Sequence, residues 1–347
     1  MKLDKKDIRA YSKDQLRDFF VEKGQQAFRG NQVYEWLWKK NAHTFDEMTN
    51  LSKDTRVFLD EYFVINHIAV DDMQRSSDGT VKNAVKLFDG LVVESVLIPT
   101  DTRTTACISS QVGCAMGCTF CATARLKKQR NLNPDEIYDQ VAAINRESEL
   151  YHGHKLSNIV FMGMGEPLLN YENVLKSIEM ITSDEGLAMS PRRITLSTVG
   201  IPKMIKRMAD EKVKFNLAVS LHSAIDEMRS AMMPVNISNN LDELMESLQY
   251  WHNITGNRIT FEYIIWRDIN DKQKDIDALV AYCKRVPAKV NLIEYNPIDD
   301  GEFQQADEAV TDKYIAELEK NNIIVNVRRS RGKDIDAACG QLANKTS

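Results

Sequence analysis

Three of the six cysteines fall within eight residues, Cys114-Ala-Met-Gly-Cys118-Thr-Phe-Cys121, and this C-x3-C-x2-C spacing is the strongest chemical signal in the chain. Thiolates on one short loop can converge on a metal centre. A [4Fe–4S] cluster ordinarily takes four of them, so three leave one iron open. An open iron can bind substrate, as a catalytic zinc keeps a free position where a structural zinc does not. Gly113 and Gly117 let the backbone wrap close to such a group. No charged residue occurs from Thr104 to Ala124, which suits a loop packed around a cofactor with its own charge. The alternative is a structural zinc site with Cys107 as fourth ligand, although zinc ligands usually come as paired knuckles separated by a longer spacer.

A loop of this kind must be held by regular elements, and the hydrophobic pattern supplies them. Seven short apolar runs, at 106–109, 158–162, 194–198, 215–221, 259–266, 290–295 and 323–327, alternate with amphipathic helical stretches. One helix opens with Asn133 as N-cap, Pro134 at its first position and Glu136 at its third. Strand–helix alternation predicts an α/β domain over 101–342 built on a parallel sheet, open or closed into a full or partial barrel. Ligands of such folds gather at the carboxyl ends of the strands. The cysteine loop follows the first run, so it stands at that end.

Ahead of this core, residues 1–65 read as helical, with apolar periodicity at Leu16, Phe19 and Phe20 and again at Val33, Trp36 and Leu37, punctuated by Gly30-Asn31. Residues 66–100 read as a β-hairpin connector, because Asp89-Gly90 separates two apolar runs. At 347 residues the chain has room for about two domains at ~150 residues each. Its 43% hydrophobic content is ordinary for a globular core. No apolar run approaches the ~18 residues of a membrane helix, and Met1 to Phe19 is too charged for a secretory leader. A cytoplasmic, reducing location is expected, where cysteines serve as ligands or catalysts rather than as staples.

The C-x3-C-x2-C motif after the first strand of a βα-repeat chain resembles the signature of radical S-adenosylmethionine (SAM) enzymes. The string Cys107-Ile-Ser-Ser-Gln-Val-Gly-Cys114 resembles their adenine-C2 RNA methyltransferase family. Four further strings match that family in order: Met162-Gly-Met-Gly-Glu166-Pro-Leu-Leu-Asn170, Ser190 to Gly200, Ser220-Leu-His222, and Asp336-Ala-Ala-Cys339-Gly-Gln-Leu342. The likeness runs from Arg29 to Leu342. It implies a partial (β/α)6-type radical SAM barrel with an N-terminal helical accessory domain that binds RNA. It also implies one [4Fe–4S] cluster on Cys114, Cys118 and Cys121, with SAM at the open iron. Gly165, Glu166, Ser197, Ser220, Leu221, His222 and Asn296 would bind SAM, with Glu166 meeting the methionine amine. Taken singly, each Ser or Asn could be an ordinary turn or cap residue. The glycines do not make a dinucleotide fingerprint, since Leu168 stands where G-x-G-x-x-G needs its third glycine.

The same resemblance gives Cys339 and Cys107 a paired role. An aromatic C–H carbon of adenine is too weak a nucleophile for ordinary methyl transfer. In this family a first SAM methylates the C-terminal cysteine, here Cys339, and a second yields a 5′-deoxyadenosyl radical that takes a hydrogen from that methyl group. The methylene radical adds to adenine C2 and links RNA to Cys339. Glu94 would accept the C2 proton, and Cys107 would attack to release product and leave a Cys107–Cys339 disulfide. Read without the resemblance, Glu94 is a solvent-facing residue of an alternating strand. The implied substrates are 23S rRNA at the peptidyl transferase centre and tRNA beside the anticodon. The implied partner is an electron donor of the flavodoxin or ferredoxin kind, and the chain is expected to act as a monomer.

Fifty acidic residues against 45 basic give a net charge of −5, yet two basic stretches flank the cysteines. Arg103, Arg125, Lys127, Lys128 and Arg130 form one, and Arg328, Arg329, Arg331 and Lys333 the other. Such groups would grip RNA phosphates; the plainer reading is two solvated charge runs. Cys283 is expected to pack as a small hydrophobe, His152-Gly-His154 to form a surface turn, and Trp36 to face its helix core rather than a base. Three rival functions remain: a C8-methylating relative, against which Glu166-Pro-Leu-Leu speaks, a zinc-stabilised RNA-binding protein without catalysis, and a radical enzyme acting on a small molecule, which leaves the basic stretches unexplained.

Overall fold

The computed structural model describes residues 5–298 and 302–344, so the first four residues of the segment read as 1–65 lie outside the described residues. A ten-stranded sheet is the frame of the molecule. Seven of its strands are mutually parallel and lie in chain order: Arg103–Cys107, Asn158–Phe161, Ile194–Thr198, Asn216–Ser220, Ile259–Ile264, Ala288–Ile293 and Ile324–Arg328. Each overlaps one of the seven apolar runs, with ends displaced by up to three residues. The first six each lead into helix, principally Pro134–His152, Tyr171–Thr182, Pro202–Asp210, Leu241–Thr255, Gln273–Cys283 and Glu308–Lys320. These helices cover the sheet, which is why a strand such as Ile259–Ile264 is buried along its whole length. The sheet ends at Ile324–Arg328 on one side and Ala69–Arg75 on the other without the two joining. The barrel is therefore partial, with six βα units and a seventh parallel strand at its edge.

Curvature brings distant strands together at the mouth. Arg328, on the last parallel strand, donates to the sulfur of Met162, just beyond Asn158–Phe161, at 3.5 Å. The gap is further bridged by Ser76 Oγ donating to Asp334 (2.5 Å) and Gly332 N–H donating to Asp78 (3.0 Å). The segment expected as a hairpin connector consists of three antiparallel strands, Ala69–Arg75, Val81–Lys86 and Val92–Thr100. The last pairs antiparallel with Arg103–Cys107, so the hairpin continues the main sheet.

Three helices, Lys13–Glu22, Phe28–Trp38 and Lys53–Tyr62, form the N-terminal part. Gly30 does not separate two of them, as the sequence suggested, but lies inside Phe28–Trp38. A Cβ there would come within 2.6 Å of the Arg17 backbone nitrogen, so glycine is needed where two helices touch. Arg9 joins this part to the core. Its guanidinium lies over the Trp38 ring at 4.6 Å and makes two bonds, of 2.6 and 2.8 Å, to Asp139 of Pro134–His152. Both side chains of that ion pair are fully buried.

Candidate active site

The chain beyond Arg103–Cys107 is fixed before it reaches the cysteines. Gln140 Oε1 accepts the Ser109 N–H (2.9 Å), Asn170 Nδ2 donates to Ser110 O (2.9 Å), and Met164 O accepts from Ser110 and Gln111. Gly165, at φ +98°, has no room for a Cβ, which would sit 2.5 Å from the Gln111 side chain. The glycine turn thus serves close packing of two strand ends. Cys114, Cys118 and Cys121 then line one wall of a cavity enclosing about 1000 Å³ including its open mouth. Thr119, between two of these cysteines, donates its N–H to Met232 O (3.0 Å), and Ala122 N–H reaches Gly340 O (2.8 Å).

The same cavity is also lined by Gly165, Glu166, Ser197, Ser220, His222, Asn296 and Cys339. Leu221, expected among them, does not line the cavity. It is buried in the hydrophobic core, and its N–H donates to Glu262 O (3.0 Å). The alternation of a strand end explains this, since neighbours of an inward-facing residue turn away. Glu166 is buried, with one oxygen accepting the Leu168 N–H (3.0 Å) and the other the Val199 N–H (2.8 Å). Burial outweighs these bonds and raises its pKa to about 7. A carboxylate has about four acceptor positions, so room remains for an ammonium group. Burial, with Arg229 nearby, lowers the His222 pKa to about 3, and its neutral ring accepts the Ile264 N–H at Nδ1 (3.2 Å).

The residues fit a thiolate-bound cluster. Burial raises Cys114 to about 11 and lifts Cys118 further, so these thiols stay protonated and inert at neutral pH unless a metal takes the proton's place. Among the described residues no three His, Cys, Asp or Glu form a group able to hold one metal ion. Thiolates that each bind a different iron of a cluster need not converge so tightly. Cys107 is not beside this trio, contrary to the four-cysteine zinc alternative. It lines a second cavity with Ile98, Val160, Arg328, Arg329 and Arg331.

Cys339 lines both cavities. The residue is exposed, while the protein packed around its thiol raises its pKa to about 11 and Arg328 pulls it down. Burial first, then Cys339, raises Cys107 to about 12, with Arg328 again opposing. All six cysteines are free thiols. Glu94 is buried rather than solvent-facing, and it borders neither cavity. Its Oε2 accepts the N–H groups of Ala343 (2.8 Å) and Asn344 (3.1 Å), and Lys82 lies 3.5 Å from Oε1.

The basic stretches divide. Arg130 is tied to Glu136 and Asp89, Arg328 to Glu262 and Lys333 to Glu294. Arg103, Lys127, Arg329 and Arg331 are exposed, Lys128 is half-buried, and Arg125 is exposed but also engaged by neighbours, Tyr295 among them. Glu262 was missed from sequence although it lines the first cavity, where it takes Asn291 Nδ2 (2.8 Å) and Arg328 Nη1 (3.2 Å). Its signal was a lone carboxylate inside the apolar run Ile-Thr-Phe-Glu-Tyr-Ile.

Comparison with known proteins agrees with this geometry. Residues 6–65 match the ribosomal RNA large subunit methyltransferase N-terminal domain, and residues 108–280 match the radical SAM superfamily. A probable dual-specificity RNA methyltransferase RlmN of Flavobacterium johnsoniae is 69% identical over 99% of both chains. The protein of that name from Salinibacter ruber is 43% identical over 99% of this chain and 95% of its own. The crystal structure of a radical SAM methyltransferase from Sphaerobacter thermophilus superposes with a TM-score of 0.92 at 35% identity, covering 98% of this chain and 100% of the other. This chain belongs to the RlmN family of radical SAM RNA methyltransferases.

Proposed function

We propose that this radical SAM RNA methyltransferase, which uses a [4Fe–4S] cluster and SAM, methylates C2 of adenine in 23S rRNA and in tRNA beside the anticodon. The carrying observation is that Cys339 is shared by two cavities, one with the three cluster cysteines and one with Cys107. When bound, the cluster supplies the electron that cleaves SAM, and SAM supplies both the methyl group and the hydrogen-abstracting radical. Cys114, Cys118 and Cys121 hold the cluster. Glu166 receives the SAM ammonium, and Gly165, Ser197, Ser220, His222 and Asn296 orient the rest.

Cys339 accepts the methyl group at its sulfur on the cofactor side and presents it to RNA on the other. One residue bordering both cavities makes this relay possible without long travel. Cys107 then attacks the sulfur of Cys339, forming a Cys107–Cys339 disulfide as the bond from that sulfur to the RNA-linked carbon breaks and this carbon takes up a proton, which frees methylated RNA, with Arg328 favouring the thiolate forms of both sulfurs. Glu94 accepts the adenine C2 proton. Its carboxylate holds the 343–344 backbone amides, so that short segment is released before Glu94 acts. Arg125, Lys127, Arg329 and Arg331 grip phosphates. Helices 13–62 form the accessory RNA-binding domain, joined by strands 69–100 to the catalytic part. A low-potential donor of the flavodoxin or ferredoxin kind reduces the cluster, and the chain works as a monomer in the cytoplasm. No helix of the described residues is long and apolar enough to cross a membrane.

The test is anaerobic turnover with methyl-labelled SAM and bulk RNA, followed by nucleoside chromatography. Label in 2-methyladenosine is expected in both RNA classes. Label confined to 8-methyladenosine would replace this reading with the C8 activity.

A further inference from the structure

Arg229 is wholly buried, yet among the described residues no carboxylate is within ion-pairing reach of it. Its Nε donates to Leu221 O (3.1 Å), and its Nη2 donates to Val199 O (2.6 Å) and Ser220 O (3.2 Å). Nη1 donates to the Asn236 side-chain oxygen (2.6 Å). Every acceptor is neutral. Asp226, on the same helix, spends its Oδ1 on Asn236 Nδ2 (2.9 Å) and the Leu241 N–H (3.0 Å). A buried cation without an ion-pair partner, its charge favoured by Asp226 only from beyond pairing distance, is costly and is rarely kept without a use.

Its position indicates the use. Val199 and Ser220 stand at the ends of adjacent strands, Ile194–Thr198 and Asn216–Ser220, and both line the first cavity beside Ser197 and His222. Arg229 does not line that cavity; it grips the backbone carbonyls behind the wall. It belongs to the helix Asp226–Met232. The carbonyl of Met232, at the end of the same helix, accepts the N–H of Thr119 in the cysteine loop (3.0 Å). One short helix therefore ties the cysteine loop to the strand ends at Val199 and Ser220.

We propose that Arg229 is a positioning residue that sets the cluster loop against the SAM-binding wall and supplies the positive charge that balances the thiolate-bound cluster. This rests on assigning the first cavity to cluster and SAM. Reduction adds one negative charge to the cluster, and a fixed cation in a low-dielectric surround favours the reduced form. The fork geometry serves a separate purpose, because its several donors hold strand-end carbonyls at fixed directions that one ammonium cannot reproduce.

Two substitutions separate charge from geometry. Arg229→Met removes the charge while keeping apolar bulk, a change that buried-ion replacements often tolerate; Arg229→Lys keeps the charge and loses the fork. Reconstituted holoenzyme is measured for iron content, for cluster midpoint potential by redox titration followed by electron paramagnetic resonance, and for SAM affinity by equilibrium dialysis with the oxidised cluster. Arg229→Met should shift the potential to a more negative value. Both variants should bind SAM at least about tenfold more weakly, the scale of losing hydrogen bonds from a charged group, while Arg229→Lys keeps the parent's potential. An unchanged potential in Arg229→Met, or a SAM Kd within about twofold of the parent's in Arg229→Lys, overturns the proposal. If Arg229→Met fails to load iron, the Lys variant alone decides by its SAM Kd. Absence of iron from the unsubstituted protein would instead overturn the assignment of the cavity.

Discussion

The two cavities that meet at Cys339 are built from different material. The cofactor cavity is walled by strand ends, where Glu166 and His222 are buried and satisfied by backbone groups and Gly165 admits the Gln111 side chain closely. The Cys107 cavity lies near the edge strand Ile324–Arg328 and is bordered by Arg328, exposed Arg329 and Arg331, and the chain at Ala337–Cys339. One cavity suits small groups that must be held in a fixed pose. The other suits an incoming polyanion that must enter and leave. The relay needs both properties, and placing its one thiol at the junction keeps them from compromising each other.

The junction itself carries the largest expected effect. Cys339→Ala should abolish methylation, a loss on the order of 10⁴-fold or more, as when an essential nucleophile is removed. Cys107→Ala should do the same to turnover but leave a covalent protein–RNA adduct, visible as a shifted band on a denaturing gel. An adduct in Cys339→Ala, or normal turnover in Cys107→Ala, would break the division of labour between the cavities.

The two cavities also differ in how far the sequence revealed them. The cofactor side was readable because its groups sit in short strings at successive strand ends: the cysteine loop, Met162 to Glu166, Ser197 and Ser220 to His222. Local alternation then decides which side chain faces the cavity, and that of Leu221 turns into the core instead. The Cys107 side was hardly readable. Val160 and Arg328 lie on parallel strands separated by four others, and only sheet curvature brings them to one space. Charge counting in sequence treated Arg328, Arg130 and Lys333 as phosphate ligands, whereas each meets a carboxylate that is distant in sequence or on another element. Glu94 looked solvent-facing because alternation shows that a strand has two faces, not that both are covered.

The next two effects dissect the cavities separately. Glu166→Gln should weaken SAM binding about 10- to 100-fold, the scale of a hydrogen bond to a charged group, and leave RNA affinity unchanged. Arg329→Gln with Arg331→Gln should do the reverse. RNA binding should weaken, and the slope of log affinity against log salt should fall by ~0.7 for each phosphate no longer neutralised, while SAM affinity measured by dialysis stays that of the parent. If either set of substitutions moved both affinities, the cavities would be one energetic unit, and Cys339 would not be a junction.

The smallest effect is a pH dependence with opposite signs for binding and for stability. Glu166 titrates near 7 because burial disfavours its charge. Ionised Glu166 is the form that attracts the SAM ammonium, so affinity should rise with pH by at most about tenfold per unit below 7 and flatten above it. Glu166→Gln should remove that rise. Stability of the SAM-free protein runs the other way. The folded pKa lies above the ordinary carboxylate value, so between about 4.5 and 7 the folded state binds a proton that the unfolded chain has released. This group's contribution is thus complete below about 4.5 and lost as pH rises through about 7. Denaturant midpoints of parent and Glu166→Gln should therefore diverge in favour of the variant as pH increases across that window. Saturating SAM should restore the parent's relative standing, because binding favours the ionised carboxylate that folding alone disfavours. Parallel midpoints at every pH would mean that the Val199 and Leu168 amides already compensate the buried charge, and the cofactor wall would then be fully formed before SAM arrives.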